Sequence, residues 1–264
     1  MEDFTPLIVC MNIREIVTEL QNFYIMSLRS FLGLFCKPFY LRDLVEQMDY
    51  AGAGSFFIVF LVSLFIGMAL TLQISIELSS LGLKMYTGKI VGVSIIREIG
   101  PVAIALSFAG RVGSGMASEI GAMVIGHQVD ILRVYGIDPV KKLVIPRVLS
   151  ATVMLPLLTL IGDAVALAGG VYISVFVGHD SGSFYWSQIR GAMSFANIFS
   201  GIVKPFIFGW IIACISCYMG LATRGGSKGL RRATTTAVVL STIMIIISDF
   251  VLTQILLVLL GMHS

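Results

Sequence analysis

The chain has 264 residues, 57% of them in the set Ala, Val, Ile, Leu, Met, Phe, Trp, Tyr and Cys and only 12% charged, with a mean hydropathy of +0.95. A soluble domain carries charge on about a quarter of its residues, so a stand-alone soluble enzyme and a disordered binder are excluded, and the formal charge of +3, spread along the chain, argues against a nucleic-acid partner. At about 20 residues per crossing the length suits five or six membrane helices in one integral membrane domain, 1–264.

The amino terminus opens Met1-Glu2-Asp3, without the positive region of a secretory signal. Val9 stands before Cys10 where a lipoprotein box wants a small residue. From Ile13 to Phe35 apolar residues recur at 13, 16, 17, 20, 23, 24, 28, 31, 32 and 35, with Arg14, Glu15, Glu19, Asn22 and Arg29 opposite. That spacing predicts an interfacial amphipathic helix over 13–35, too charged to span. Pro38 and the polar stretch Arg42 to Asp49 separate it from the first apolar run.

Five spans are predicted: 51–76, 86–109, 143–177, 195–222 and 233–260. The first is uncharged and closed by Glu77; the second carries Lys89 near one end and Arg97-Glu98 at its middle. The third is long enough for a reentrant or bent portion around Pro156 and Asp163. Lys204 lies inside the fourth and Asp249 inside the fifth. Most of the 18 basic residues fall in the amino-terminal region (Arg14, Arg29, Lys37, Arg42), the second-to-third connection (Arg111, Arg133, Lys141, Lys142, Arg147) and the fourth-to-fifth loop (Arg224, Lys228, Arg231, Arg232). The alternate loops hold Lys84, Lys89 and Arg190. Cytoplasmic loops attract Lys and Arg, so the amino terminus is expected inside and the carboxyl terminus outside.

A charge near mid-membrane costs several kcal/mol unless it is paired or faces water, so Arg97 and Glu98 are expected either to line a cavity or to pin helices, with Lys204 and Asp249 as partners. Pro101 cannot donate to the Arg97 carbonyl, so a bend and an open backbone group are expected there. In the second-to-third connection, the small residues Gly110, Gly113, Ser114, Gly115, Ala117, Ser118, Gly121 and Ala122 permit close helix contact. His127 to Tyr135 then reads as a short amphipathic helix with Val129, Leu132 and Tyr135 on one face, stopped by Gly136 and an Asp138-Pro139 turn. Periodicity allows two uses for it: docking a cytoplasmic partner, or lying on the bilayer.

Catalytic patterns fail on spacing. Gly82 to Lys89 separates its glycines by five residues rather than the four of a P-loop, with Ile90 in place of Ser or Thr. Val112 breaks a GxSxG around Ser114, and His127, His179 and His263 lie in loops or at the terminus. Cys214 and Cys217 form one CxxC with no second pair, and with Cys10 and Cys36 they are too few for a disulfide scaffold. No metal site is expected.

The segments IIREIGPVAIALSFAGRVGSGMASEIGAM (95–123) and QVDILRVYGIDPVKKLVIPRVLSATVMLPLLT (128–159) resemble the MlaE/YrbE family of ABC-transporter permeases. Agreement extends to residues 67–73, 231–235 and 248–253. The resemblance implies an all-α integral membrane protein of the bacterial inner membrane. It implies a homodimer paired with a cytoplasmic ABC ATPase, which binds the ATP and Mg, and with a periplasmic MCE-domain lipid-binding protein; a small accessory subunit is a further component. No cofactor is expected in this chain. Phospholipid movement between inner and outer membranes, maintaining outer-membrane lipid asymmetry, is the implied function.

It further implies a lipid cavity at the dimer interface, to which Leu70, Gln73, Leu78, Arg97 and Glu98 are assigned. Leu70 and Leu78 suit acyl chains, Arg97 a headgroup phosphate, and Glu98 would hold Arg97 or face an amine. The coupling element is assigned to His127, Gln128, Val129, Asp130, Leu132, Arg133, Tyr135, Gly136, Asp138 and Pro139. Two departures mark it: Gly126-His127 replaces the family's usual Thr-Glu, and Arg133 replaces a usual acidic residue, reversing local charge on the docking face. Two other classes compete. A stand-alone secondary transporter would use Arg97, Glu98, Asp163 and Asp249 as an ion relay; a lipid-modifying membrane enzyme would need a dyad or metal cluster.

Overall fold

A computed structural model describes residues 13–33, 41–178 and 181–259. The expectations for Cys10, Cys36, Lys37, Pro38, His179, His263 and the ends of the first helix at Phe35 and of the last span at Leu260 fall outside them. Every described element is helical: α1 Ile13–Gly33, α2 Leu41–Ala51, α3 Ala53–Ser80, α4 Thr87–Ser94, α5 Gly100–Phe108, α6 Ser114–Ile125, α7 Gln128–Val134, α8 Ile145–Phe176, α9 Gly182–Ala192, α10 Phe195–Leu221 and α11 Gly226–Leu259. Five stretches are long and apolar enough to cross a membrane: Leu41–Ser80, Lys84–Ile125, Val140–Phe176, Phe195–Leu221 and Gly226–Leu259. The chain is a multi-pass membrane protein.

The spans are packed small side in. Along α3 the buried residues are Ser55, Val59, Ser63, Gly67 and Thr71, one per turn, while Phe57, Phe65 and Ile76 are each more than 60% exposed. In lipid the apolar side chains need no burial, so close backbone approach and interhelical hydrogen bonds decide which face turns inward. The third and fourth spans form the centre: in an apolar 18-residue stretch of each, 61% and 56% of the residues are buried, against 28% and 11% in the first and fifth. A core of Phe108, Met116, Ile120, Leu155, Phe208 and Ile212 joins α5, α6, α8 and α10. A smaller one joins Val91, Ile95, Leu167, Tyr185 and Ile189 near the opposite end.

Three expectations are corrected, and one stretch that carried no predicted element gains a helix. The small-residue stretch 110–122 is part of the second span, which continues through α6 to Ile125. Its glycines and alanines are helical because α10 presses against them: Met116, Ala117 and Ile120 are fully buried there. The polar stretch Arg42 to Asp49 is the helix α2, tied to the bundle by an ion pair between Lys142 and Asp43. The third span has no reentrant portion; α8 runs unbroken through Pro156 and Asp163. Lys228, Arg231 and Arg232 lie in the opening turns of α11 rather than in a loop.

The first helix docks by Phe23, edge-on to Tyr218 at 5.5 Å, and by the buried Met26 and Ser30. Tyr24, Ile25 and Leu28 on its other side are exposed, the disposition of a helix with one face on protein and one on lipid.

Candidate functional site

The second span leaves regular α-geometry at Ile95–Ile99, a π-turn directly before Gly100 and Pro101. Pro101 has no N–H, so the Arg97 carbonyl lacks its ordinary helical partner. Another helix fills the gap: Lys204 Nζ donates to that carbonyl at 3.1 Å. Lys204 is completely buried in α10. Its ammonium also donates to Glu98 Oε2 at 2.5 Å and to Thr253 Oγ1 at 2.8 Å. Asp249 Oδ1 lies 2.8 Å away, in charge contact but off the hydrogen-bond direction.

Thr253, one turn after Asp249, donates to the Asp249 carbonyl at 2.8 Å and stands 3.2 Å from Glu98 Oε2. The second, fourth and fifth spans therefore meet at one knot of two cations and two carboxylates, and mutual neutralisation is what permits such groups between membrane helices. Thr253 is not among the residues singled out from sequence, although its i+4 spacing from Asp249 puts it on the same helix face.

Access within the knot is unequal. The side chains of Glu98 and Arg97 are 34% and 19% exposed against none for Lys204. Arg97 Nε lies 3.6 Å from Glu98 Oε1, too long for a hydrogen bond. Among the described residues the partly exposed Arg97 guanidinium donates no hydrogen bond, while Lys204 is wholly consumed by structure. Asp163 does not join them: it is buried against Gly100, and its Oδ1 has no hydrogen-bond partner among the described residues.

Of the other residues that the family resemblance assigned to a cavity, Leu70 is half-buried and packs on the small core that contains Ile95 and Ile96, the residues leading into Arg97. Gln73 is exposed and Leu78 half-buried further along α3. No polar contact links Gln73 to the charged knot among the described residues.

The connection after the second span holds α7, Gln128–Val134, bracketed by His127 at φ 57° and Gly136 at φ 73°. Asp138 Oδ1 accepts from the Val140 N–H at 3.0 Å, which closes the turn at Pro139. The expected face is corrected here: Val129 is buried and Leu132 half-buried against the bundle, but Tyr135 is 77% exposed beside Val134 at 85% and Ile131 at 52%. A helix this short has one turn to spend on its own protein, and the next turn carries Tyr135 round to the outer side. His127 Nδ1 and Arg133 Nη1 both meet the Asp130 carboxylate, at 3.2 and 3.3 Å. The exposed apolar trio is rimmed by that ion-pair row. Nearby, Arg147 Nη2 donates to Glu119 at 2.9 Å, joining α8 to α6. That pair lies beyond one-helix periodicity.

No group of three or more His, Cys, Asp or Glu that could hold a metal occurs among the described residues.

A model of the family "Permease MlaE" matches residues 44–255. A probable ABC transporter permease protein of Rickettsia typhi is 36% identical over 239 residues, covering 89% of this chain and 92% of its own length. The intermembrane phospholipid transport system permease protein MlaE of Haemophilus influenzae is 35% identical over 215 residues, 81% of this chain and 82% of the relative. The chloroplastic protein trigalactosyldiacylglycerol 1 of Arabidopsis thaliana is 38% identical over 213 residues, 81% of this chain and 61% of the relative. The match spans all five membrane helices, the charged knot and α7 alike, and the chain belongs to the MlaE permease family, as a transport subunit of the ABC type.

Proposed function

We propose that this chain is the permease of an ATP-driven transporter that moves phospholipids between the inner and outer membranes and so maintains outer-membrane lipid asymmetry. It works as a homodimer in the bacterial inner membrane, amino terminus cytoplasmic and carboxyl terminus periplasmic. A cytoplasmic ABC ATPase binds ATP and Mg, a periplasmic MCE-domain protein exchanges lipid, and a small accessory subunit completes the assembly. The observation that carries this reading is the half-open Arg97 and Glu98 pair held by a buried lysine in a chain whose relative is named for intermembrane phospholipid transport.

A phosphate needs a cation with donors to spare, and Arg97 has them; an apolar slot for acyl chains is supplied by Leu70 and Leu78. Gln73 sits on the same exposed helix. The sparse burial of the first and fifth spans leaves surface for a second copy to complete the cavity. ATP-driven closure reaches the cavity through α7, whose outer face presents Ile131, Val134 and Tyr135 to a groove on the ATPase.

In proteoliposomes containing the whole transporter, Arg97→Ala is expected to cut lipid transfer at least tenfold while the complex still assembles, since one charge-assisted phosphate contact contributes about 1.5–3 kcal/mol. Transfer at the parental rate by both Arg97→Ala and Glu98→Ala would remove the cavity assignment. At the other end, Tyr135→Asp is expected to weaken ATPase retention roughly 30-fold, the loss of one aromatic anchor at about 2 kcal/mol, without changing the melting temperature of a side chain already 77% exposed. Full co-purification of the ATPase with that variant would show that α7 docks elsewhere.

A further inference from the structure

Arg111 differs from three other cations set within the helices. Lys204, Lys142 and Arg147 each touch a carboxylate. Among the described residues, Arg111 Nη1 donates only to neutral oxygens, the Tyr50 carbonyl at 3.2 Å and Ser55 Oγ at 2.7 Å. The Tyr50 ring stands 5.2 Å from its Cζ, so two bonds and a cation–π contact from the first span fix the guanidinium. Nη2 and Nε make no hydrogen bond among the described residues.

Nη2 lies over a position of the first span that carries no side chain: a Cβ on the exposed Gly54 would stand 2.6 Å from it. The depth is that of lipid headgroups: Tyr50 and Ser55 flank the point where the polar stretch ending at Asp49 gives way to the apolar run of α3. On the Gly54 face of α3, Phe57, Ile58 and Leu61 come at i+3, i+4 and i+7, all exposed.

We propose that Arg111 binds the phosphate of a phospholipid in the adjacent leaflet, whose acyl chains lie along Phe57, Ile58 and Leu61. A planar guanidinium whose Nη2 and Nε are not engaged by the described residues matches phosphodiester oxygens. Fourteen residues of helix separate it from Arg97, about 20 Å, so the two are different sites. This inference rests on the reading of the chain as a phospholipid permease.

The test is native mass spectrometry of the full-length chain in mild detergent, titrated with phosphatidylglycerol, diacylglycerol or inorganic phosphate. Arg111→Gln and Gly54→Ala are each expected to weaken one phosphatidylglycerol-binding event about tenfold, with diacylglycerol bound weakly by all forms and millimolar phosphate displacing nothing. The three atoms nearest a Cβ at Gly54 all belong to the Arg111 guanidinium, the flexible end of a side chain, so loss of binding in Gly54→Ala reports the placement of the guanidinium rather than the fold. Parental affinity in both variants overturns the proposal, as does phosphate competing with the lipid, which would mark a free-anion site, or dissociation of a dimer by Gly54→Ala, which would mark a subunit contact. Arg97→Gln run in parallel separates the two readings: a loss at Arg97 alone leaves the permease reading standing and removes this site, whereas no phospholipid on any form removes both.

Discussion

Replacing Lys204 with methionine is expected to lower the melting temperature of the purified chain by roughly 10 °C and to abolish transport. The buried ammonium donates to three groups and contacts a fourth, from the second and fifth spans. Without it Asp249 loses its cation, Glu98 keeps only the long contact with Arg97, and the Arg97 carbonyl loses its substitute donor. Breaking a buried pair by removing one partner costs about 3–5 kcal/mol, and each kcal/mol moves the midpoint by about 2–4 °C in chains of this size. The triple variant Lys204→Met with Glu98→Gln and Asp249→Asn is expected to recover most of the stability, because it removes the stranded charges together with their partner. A circular-dichroism melt decides the matter, and an unchanged midpoint in the single variant would mean that water already solvates the carboxylates.

The second large effect belongs to Gly67→Val. A Cβ at Gly67 would stand 2.0 Å from the Ala166 carbonyl oxygen and 2.6 Å from its Cα. Both are backbone atoms of α8, so no rotamer change relieves the clash and the first and third spans must part. Overpacking usually costs about 1–3 kcal/mol where side chains can yield; here the expected result is loss of monodisperse protein on size exclusion in mild detergent. Phe65→Ala, two residues earlier on the outward face, is the control and is expected to run as the parent does, because its side chain is 62% exposed to what would be lipid. Equal behaviour of the two variants would refute the small-side-in packing of α3.

Both results depend on relations that are only partly legible in the sequence. The charges Arg97, Glu98, Lys204 and Asp249 stand out because each interrupts an apolar run, and Pro101 announces an open carbonyl four residues upstream. Which group reaches that carbonyl is a matter of helix adjacency: Lys204 is 107 residues away. Thr253 carries no charge to flag it, so its spacing from Asp249 alone does not mark its place in the knot. The pair of Arg147 and Glu119 joins two helices whose neighbourhood no single-helix period encodes.

Glycine misleads in one stretch and not in another. Residues 110–122 read as the start of a connection whose small residues permit close helix contact, yet packing against α10 makes the same residues a continuation of the second span. Along α3 the same chemistry is invisible in sequence, since a run of apolar residues says nothing about which side turns inward.

From the order of residues alone it is legible that the chain crosses a membrane five times, that charges at 97, 98, 204 and 249 lie inside the apolar runs, that a short amphipathic helix comes after the second span, and which family the chain resembles. Composition, run length against bilayer thickness and motif carry those conclusions, and all are local quantities. Helix packing in three dimensions is what spends Lys204 on holding the knot while Arg97 stays open, turns Tyr135 outward with Val134, and sets small residues facing in. In a bilayer the apolar effect that orients helices in water is nearly absent, so these choices are made by backbone approach and hydrogen bonding between residues far apart in the chain.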